Sequence, residues 1–349
     1  MITTHWDDLN TLVEAKAYDQ ITILCDSNTV ELCLPAIIGK APWVAKANIL
    51  DIDAGEESKD LAICEGIWDT FIDYGMNRHS LVVNLGGGVV SDLGGFAASV
   101  YMRGIAYVNI PTTLLAAVDA ATGGKNGVNF RHKKNYIGTI NQPELVLIDA
   151  NLFSTLNENQ LLEGFAEMIK HACIADSNQF ALFQEIDELA ELLHPDIVLE
   201  NLNIKHHIAE SDPTEKGVRK LLNFGHTVAH AFEAIWENDD NEDALSHGLA
   251  VAAGIWIETA LSTINQTGLN EADRNQIQSL LQKHFDFKSF KNIEIANVIE
   301  EMRFDKKNTN QGINFSLLTG IGSAEINQYP SNINIAKAFD HWALFLETI

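Results

Sequence analysis

The sequence predicts an α/β protein: a mostly parallel sheet in the N-terminal half, then a mainly α-helical C-terminal half. Length is the first reason, since 349 residues exceed what one ordinary core absorbs and two domains are expected. The second is an alternation of short β-branched runs with helical patterns up to residue 150, which implies parallel strands covered on both faces. The third is that beyond residue 150 the apolar spacing is almost purely 3.6. The expected domains are therefore 1–150 and 151–349.

In order, residues 20–25, 48–52, 80–85, 105–110 and 145–148 read as strands, with helices over 60–74 and 91–100 among them. Helices follow near 158–175, 177–193, 196–210, 225–237, 247–265, 270–284 and 294–304, and a late hairpin over 314–318 and 324–328. The acidic patch from Glu237 to Asp243 reads as a solvated loop.

Composition, 46% hydrophobic and 20% charged, fits a soluble globular chain. Against 48 Asp and Glu stand 23 Lys and Arg, a net charge of −25, which repels nucleic acid and anionic lipid. An anionic substrate would need the scarce cations gathered around it. Lys125, Lys133, Lys134, Lys170, Lys205, Arg219 and Lys306 all lie in or beside the motifs below. Cys25, Cys33, Cys64 and Cys173, in apolar stretches with no C-x-x-C pair, read as buried free thiols of a reducing compartment. No basic flank leads into an apolar run at the N-terminus, and the most apolar stretch, 248–257, is too short to span a bilayer. A cytoplasmic protein is expected.

The strand reading over Leu81–Leu85 runs into Gly86-Gly87-Gly88, then Val89, Val90, Ser91 and Asp92. Glycines at a helix start let backbone N–H groups approach a phosphate, and the helix dipole favours its charge. The run is not G-x-G-x-x-G, and such glycines often form only a tight turn. Two further strand ends support a dinucleotide crevice of Rossmann type. One is Gly55-Glu56-Glu57-Ser58-Lys59, with a carboxylate and an ammonium, and the other is Pro111-Thr112-Thr113, with two hydroxyls. Asp119, the stretch Gly123 to Asn129, and Lys133-Lys134-Asn135 then read as a bare-backbone loop around a phosphorylated substrate, an ordinary solvated loop being the plainer alternative.

The densest polar segment is Asp212 to Gly248. Glu215, Arg219 and Asn223 follow at i, i+4 and i+8 and would share one helical face. Gly225 opens a second helix on which His226 and His230 are four apart. Such a face is expensive to bury unless it meets a metal or a charged ligand. Glu167 and Lys170, three apart, would alone be an ordinary surface ion pair. Glu167, His226 and His247 together make the carboxylate and two imidazoles that hold catalytic zinc with positions left open, enough to acidify a bound hydroxyl.

These motifs, with Tyr101-Met102-Arg103-Gly104, Pro111 to Ala116, Gly123-Gly124-Lys125, Lys134-Asn135, Leu222-Asn223-Phe224-Gly225-His226-Thr227, His247-Gly248 and Asp305-Lys306-Lys307, closely resemble the 3-dehydroquinate synthase family. The resemblance runs in order from about residue 50 to 320. It implies an NAD- and zinc-dependent carbon–oxygen lyase, with cobalt a substitute, and an active site in the cleft between the two domains. The reaction would turn 3-deoxy-D-arabino-heptulosonate 7-phosphate into 3-dehydroquinate and phosphate. A hydroxyl is oxidised by NAD, phosphate is eliminated, the same NADH reduces the ketone again, and an aldol step closes the ring.

By resemblance, Glu167, His226 and His247 ligate the metal, while Arg219, Lys205 and Asn223 clamp the substrate carboxylate, an Arg fork suiting a planar anion. Lys125, Asn135, His230 and Lys306 take the phosphate end, with Arg103 reaching from the partner of a homodimer. Asp119, Lys134, Lys170 and Glu215 hold hydroxyls and pass protons. Cofactor contacts are expected at Asp26, Asn28, Glu56, Lys59, Gly87, Gly88, Val89, Asp92, Thr112, Thr113, Leu115, Asp119, Lys125 and Lys134. The chain departs from the family at Ala120, Ala121, Asn126, Ala229 and Leu249, and in a longer His226-to-His247 interval. Two alternatives are a related sugar phosphate cyclase with another substrate and a metal-dependent polyol or alcohol dehydrogenase. Retained Arg219, Lys205 and Asn223 argue against the first, and the lysine-rich loop against the second.

Overall fold

Parallel strands with a helix after each set the first part of the chain. A computed structural model describes residues 1–131, 133–238, 245–304, 308 and 310–349. In it β1 (Ile2–Thr3), α1 (Trp6–Lys16), β2 (Ile21–Asp26), α2 (Ser27–Leu32), α3 (Leu34–Ile38), β3 (Asn48–Ile52), α4 (Leu61–Asp73), β4 (Leu81–Gly86), α5 (Gly88–Val100) and β5 (Ala106–Pro111) come first. A hairpin, β6 (Lys125–Phe130) and β7 (Lys133–Ile140), precedes β8 (Leu145–Leu147). Then come α6 (Glu158–Ala175), α7 (Ser177–Glu185), α8 (Pro195–Ser211), α9 (His226–Asn238), α10 (His247–Ile264), α11 (Glu271–His284), α12 (Ile295–Glu301), β9 (Phe315–Gly320), β10 (Ser323–Gln328) and α13 (Asn332–Thr348). The chain divides into two compact units, Met1–Leu161 with Ala190–His206, and Leu162–Leu189 with His207–Ile349.

In the first unit six parallel strands run in the order β1-β8-β5-β4-β2-β3. Alternate residues bury to opposite faces. Ile23, Val83 and Val108 join the core that includes Leu9 and Ile37; Leu24, Val82 and Tyr107 join the one that includes Phe71 and Phe96. Both faces are covered, so β4 is buried at every position. In the second unit α10 is the core helix. It has 18 residues and mean hydropathy 1.2, enough by length and composition to cross a membrane, yet 78% of it is buried inside the protein. The apolar stretch is thus longer than 248–257, and its burial makes it a core helix.

The sequence reading does not include α1, α2, α3 or α13, and it differs from the structure at two further places here. The stretch expected to loop around a phosphate is the antiparallel hairpin β6–β7. Its Gly, Lys and Asn residues are poor strand formers, and it holds by backbone pairing. Gly127 faces Gly138, where a Cβ would lie 2.3 Å from the Asn126 carbonyl oxygen. Helix α7 stops at Glu185, short of residue 193, and a separate 3-10 turn covers Leu189–Leu193.

All four cysteines are free and buried. Burial pushes the Cys25 and Cys64 thiols up to about 12 and that of Cys33 to about 11, and raises Cys173 as well. The reactive thiolate is therefore suppressed at ordinary pH. Iodoacetamide at pH 8 should label none of the four in the native protein and all four after unfolding; fast native labelling would contradict this packing.

Candidate active site

In the second unit, three helices bring one carboxylate and two imidazoles together. Helix α6 carries Glu167 and Lys170 one turn apart, 0% and 2% exposed, so the pair is buried and not a surface ion pair. Both histidines are the first residue of a helix, His226 of α9 and His247 of α10. Gly248 lets the start of α10 meet α6, since a Cβ there would lie 2.4 Å from the Glu163 Cα. The Nε2 atoms of His226 and His247 lie 3.2 and 3.3 Å from the same atom, Glu167 Oε1. One ligand atom from each of the three falls within 4.8 Å of the others.

The far nitrogens have acceptors of their own. His226 Nδ1 lies 3.2 Å from the Phe224 carbonyl and His247 Nδ1 lies 3.0 Å from Glu233 Oε1. Both neighbours accept, so with a cation held at Nε2 each ring would keep its proton on Nδ1 and donate it there. This donor set fits a divalent cation such as zinc. Burial alone would raise the Glu167 carboxyl, but the Lys170 ammonium and then His226 reverse this and hold it well below the usual carboxylate range. Burial, then Lys170, push His226 down to about 4. Burial opposes protonation of His247, yet its bonds to Glu167 and Glu233 raise it to about 10. A cation entering here displaces the His247 proton.

Glu233 was not found by sequence reasoning. The signal was present, for His226, His230 and Glu233 stand at i, i+4 and i+7 on one face of α9. His230 packs its ring edge-on to His226, with centroids 5.5 Å apart.

The segment before α9 is not a helix from Glu215. Asp212 accepts from the backbone N–H of Lys216 (3.0 Å), Gly217 (2.6 Å) and Arg219 (3.2 Å), which wraps residues 212–217 into a loop, and Glu215 takes φ +56°. Only Val218–Asn223 coils, as a 3-10 turn. The contact expected from a shared face forms nonetheless, because Asn223 Nδ2 donates to Glu215 Oε1 at 2.5 Å. Arg219 is buried and donates to the Pro213 carbonyl at 3.0 Å.

The first unit holds the other sequence-predicted residues apart from Lys306. Its strand order reverses between β2 and β4, and ligands of such sheets bind beyond the strand ends at that point. There Gly86 and Gly87 leave the backbone bare: a Cβ would meet Val90 Cβ at 2.5 Å and Thr113 Cγ2 at 3.2 Å. No side chain caps α5, where Gly88 and Val89 begin the helix, and Ser91 Oγ is buried without a hydrogen-bond partner. These donors fit the phosphates of a dinucleotide. Lys59 pairs with Asp92 at 2.6 Å, where burial raises the Asp92 carboxyl against the pull of Lys59. Asp119, on a π-helical turn after Leu115, pairs with Lys205 at 2.8 Å; such turns often mark functional positions. The Thr112 N–H bonds the Gly86 carbonyl at 3.0 Å.

Several predicted residues serve the fold visibly. Asp26 caps α2 by accepting from the N–H groups of Asn28 and Thr29. Glu56 Oε1 accepts from Asn129 Nδ2 at 2.8 Å, and Asn129 Oδ1 accepts from the Asn135 N–H at 2.9 Å. Lys125, Lys134 and Arg103 are exposed. Asn126 is buried, and its amide donates to the Tyr107 hydroxyl (3.0 Å) and the Asn141 carbonyl (2.9 Å). Lys306 lies outside the described residues, as do Asp305, Lys307 and most of the Glu237–Asp243 patch.

One consequence is measurable. Glu233→Gln keeps the size of the side chain and removes its charge, so cobalt or zinc affinity in a chelator competition should fall about 10- to 100-fold. Unchanged affinity would contradict the role of Glu233.

Comparison with known proteins identifies the family. The family model described as 3-dehydroquinate synthase N-terminal matches residues 49–163, and the C-terminal model matches residues 164–308. A 3-dehydroquinate synthase of Parabacteroides distasonis is 38% identical over 96% of this chain and 94% of its own length. One from Helicobacter pylori strain J99 is 35% identical over 96% and 95%. Among solved structures, a 2-epi-5-epi-valiolone synthase from Streptomyces hygroscopicus, with NAD+ and Zn2+ bound, superposes with TM-score 0.80 at 27% identity, covering 96% and 93% of the two chains. A 2-deoxy-scyllo-inosose synthase, at TM-score 0.81 and 22% identity over 97% and 96%, shares the fold. With both halves of the family model matched in succession and the relatives aligned nearly end to end, the chain belongs to the 3-dehydroquinate synthase family.

Proposed function

We propose that this chain is a 3-dehydroquinate synthase, converting 3-deoxy-D-arabino-heptulosonate 7-phosphate into 3-dehydroquinate and phosphate. The observation that carries the reading is the meeting of His226 and His247 on one oxygen of Glu167 in a chain of this family. The reading assigns NAD to residues 1–150, and the zinc or cobalt ion with most of the substrate contacts to residues 151–349. Bound NAD would supply a hydride acceptor that returns the hydride within each turnover, and the cation a positive charge favouring loss of a substrate hydroxyl proton.

The protein's own groups bind and orient. The buried Arg219 guanidinium, with Asn223 and Lys205, is assigned to the substrate carboxylate. Lys125, Asn135, His230 and Lys306 are assigned to the phosphate. Asp119, Lys134, Lys170 and Glu215 are assigned to the hydroxyls and their protons, and the Gly87–Asp92 turn with Lys59, Thr112 and Thr113 to the dinucleotide. We place the enzyme in the cytoplasm as a homodimer in which Arg103 serves the partner's phosphate site. Two successive non-glycine residues at positive φ, Met102 (50°) and Arg103 (69°), support a functional role for this turn, for such backbone strain clusters at functional sites. The net charge of −25 speaks against nucleic acid or membrane partners.

Protein given zinc and catalytic NAD should release phosphate from the heptulosonate phosphate without accumulating NADH, and a chelator should stop it. Steady NADH build-up on a simple polyol with no phosphate release would sink the reading. Arg219→Ala should raise KM roughly 10- to 100-fold, the loss of a charge-assisted hydrogen bond, and an unchanged KM would remove Arg219 from the carboxylate site.

A further inference from the structure

We propose that Glu258 is a positioning residue for the metal-binding half of the site, acting on His226 through the start of α9; the inference rests on the reading that Glu167, His226 and His247 take a divalent cation. Glu258 lies on α10, three turns beyond His247, and is fully buried. Both its oxygens are turned to the first amides of α9: Oε2 accepts from the Gly225 N–H at 2.7 Å and Oε1 from the Val228 N–H at 3.2 Å. Gly225, the residue before the helix, has no side chain with which to cap it. A larger residue is excluded there, since Gly225 takes φ +81° and a Cβ would lie 2.7 Å from Ile255 Cγ1. The two helices are in backbone contact at this level, for a Cβ on Gly254 would come within 1.9 Å of the Gly225 carbonyl oxygen. The cap that α9 cannot supply locally is therefore delivered from the neighbouring helix.

Its place in the site gives this cap a second consequence. His226 is the first residue of α9, and its Nδ1 is held by the Phe224 carbonyl just before the turn. The orientation of its Nε2 thus depends on residues 224–228, which Glu258 clamps to the helix that bears His247. A helix N-terminus also carries partial positive charge, unfavourable for a histidine asked to hold a cation. The Glu258 carboxylate offsets that charge where it is largest, and leaves none of the first-turn amides it binds unpaired in the interior.

The test uses the full-length protein stripped of metal, with Co2+ alone as probe. Readouts are the visible spectrum, affinity by chelator competition, and the Tm of the metal-free protein. Glu258→Gln keeps the shape and removes the charge, and Glu258→Asp keeps the charge one methylene further back. Ile67→Ala, which opens a cavity on α4 in the first unit, is the control for lost stability alone. Glu258→Gln should weaken Co2+ binding about 10-fold or more and alter the spectrum, with a smaller loss for Glu258→Asp, while Ile67→Ala lowers Tm and leaves both readouts at the wild-type value. Wild-type affinity and spectrum in either folded Glu258 variant would overturn the proposal. Wild-type protein that binds no Co2+ would overturn the metal reading itself, and this inference with it.

Discussion

A single oxygen, Glu167 Oε1, is the point on which the second unit is organised. Two imidazole nitrogens lie 3.2 and 3.3 Å from it, and Lys170 pairs with the other oxygen of the same carboxylate. Removing these charges from water costs several kcal/mol per ion, and an apolar set of similar volume would be at least as stable. Stability therefore does not explain the cluster. Chemistry does, since a low-lying carboxylate and two imidazoles whose far nitrogens have acceptors are what a small, hard-to-desolvate cation needs.

Much of the surrounding fold exists to make that meeting possible. Gly248 admits α10 to α6, and Gly225 with Gly254 admits α9 to α10, so three helix backbones approach more closely than side chains would allow. A parallel logic holds in the first unit. There Gly86 and Gly87 clear the strand end, and the reversal of strand order between β2 and β4 opens the crevice beyond it.

The sequence disclosed the elements with strong periodicity. β2 to β5, α6, α10 and the β9–β10 hairpin form close to where spacing put them, because in most of them, β2, β4, β5, α6 and α10 above all, burial on both faces or nearly all round leaves a clear pattern. The hairpin β6–β7 was hidden, since Lys, Asn and Gly surround the few apolar residues, Val128 and Ile137, that it packs into the core. Residues 212–217 were hidden for another reason: Asp212 offers the backbone a local alternative to the helix. Among candidate site residues, the sequence reading named Glu167, His226 and His247, which the structure brings together. Glu258 was not named, because it acts through a helix end, and a buried glutamate in a helix carries no mark of what it touches; Glu233, which acts through a histidine nitrogen, was marked only by sharing a helical face with His226 and His230. Asn126 shows the converse, a motif position whose side chain serves the packing around Tyr107 and Asn141.

The central claim is best tested by anomalous diffraction at the zinc edge from crystals of the protein grown with zinc. It predicts one ion about 2.0–2.1 Å from Nε2 of both His226 and His247, and about 2.0–2.2 Å from a Glu167 oxygen. An ion that engages either ring through Nδ1, or that leaves any of the three residues out of its coordination, would contradict it.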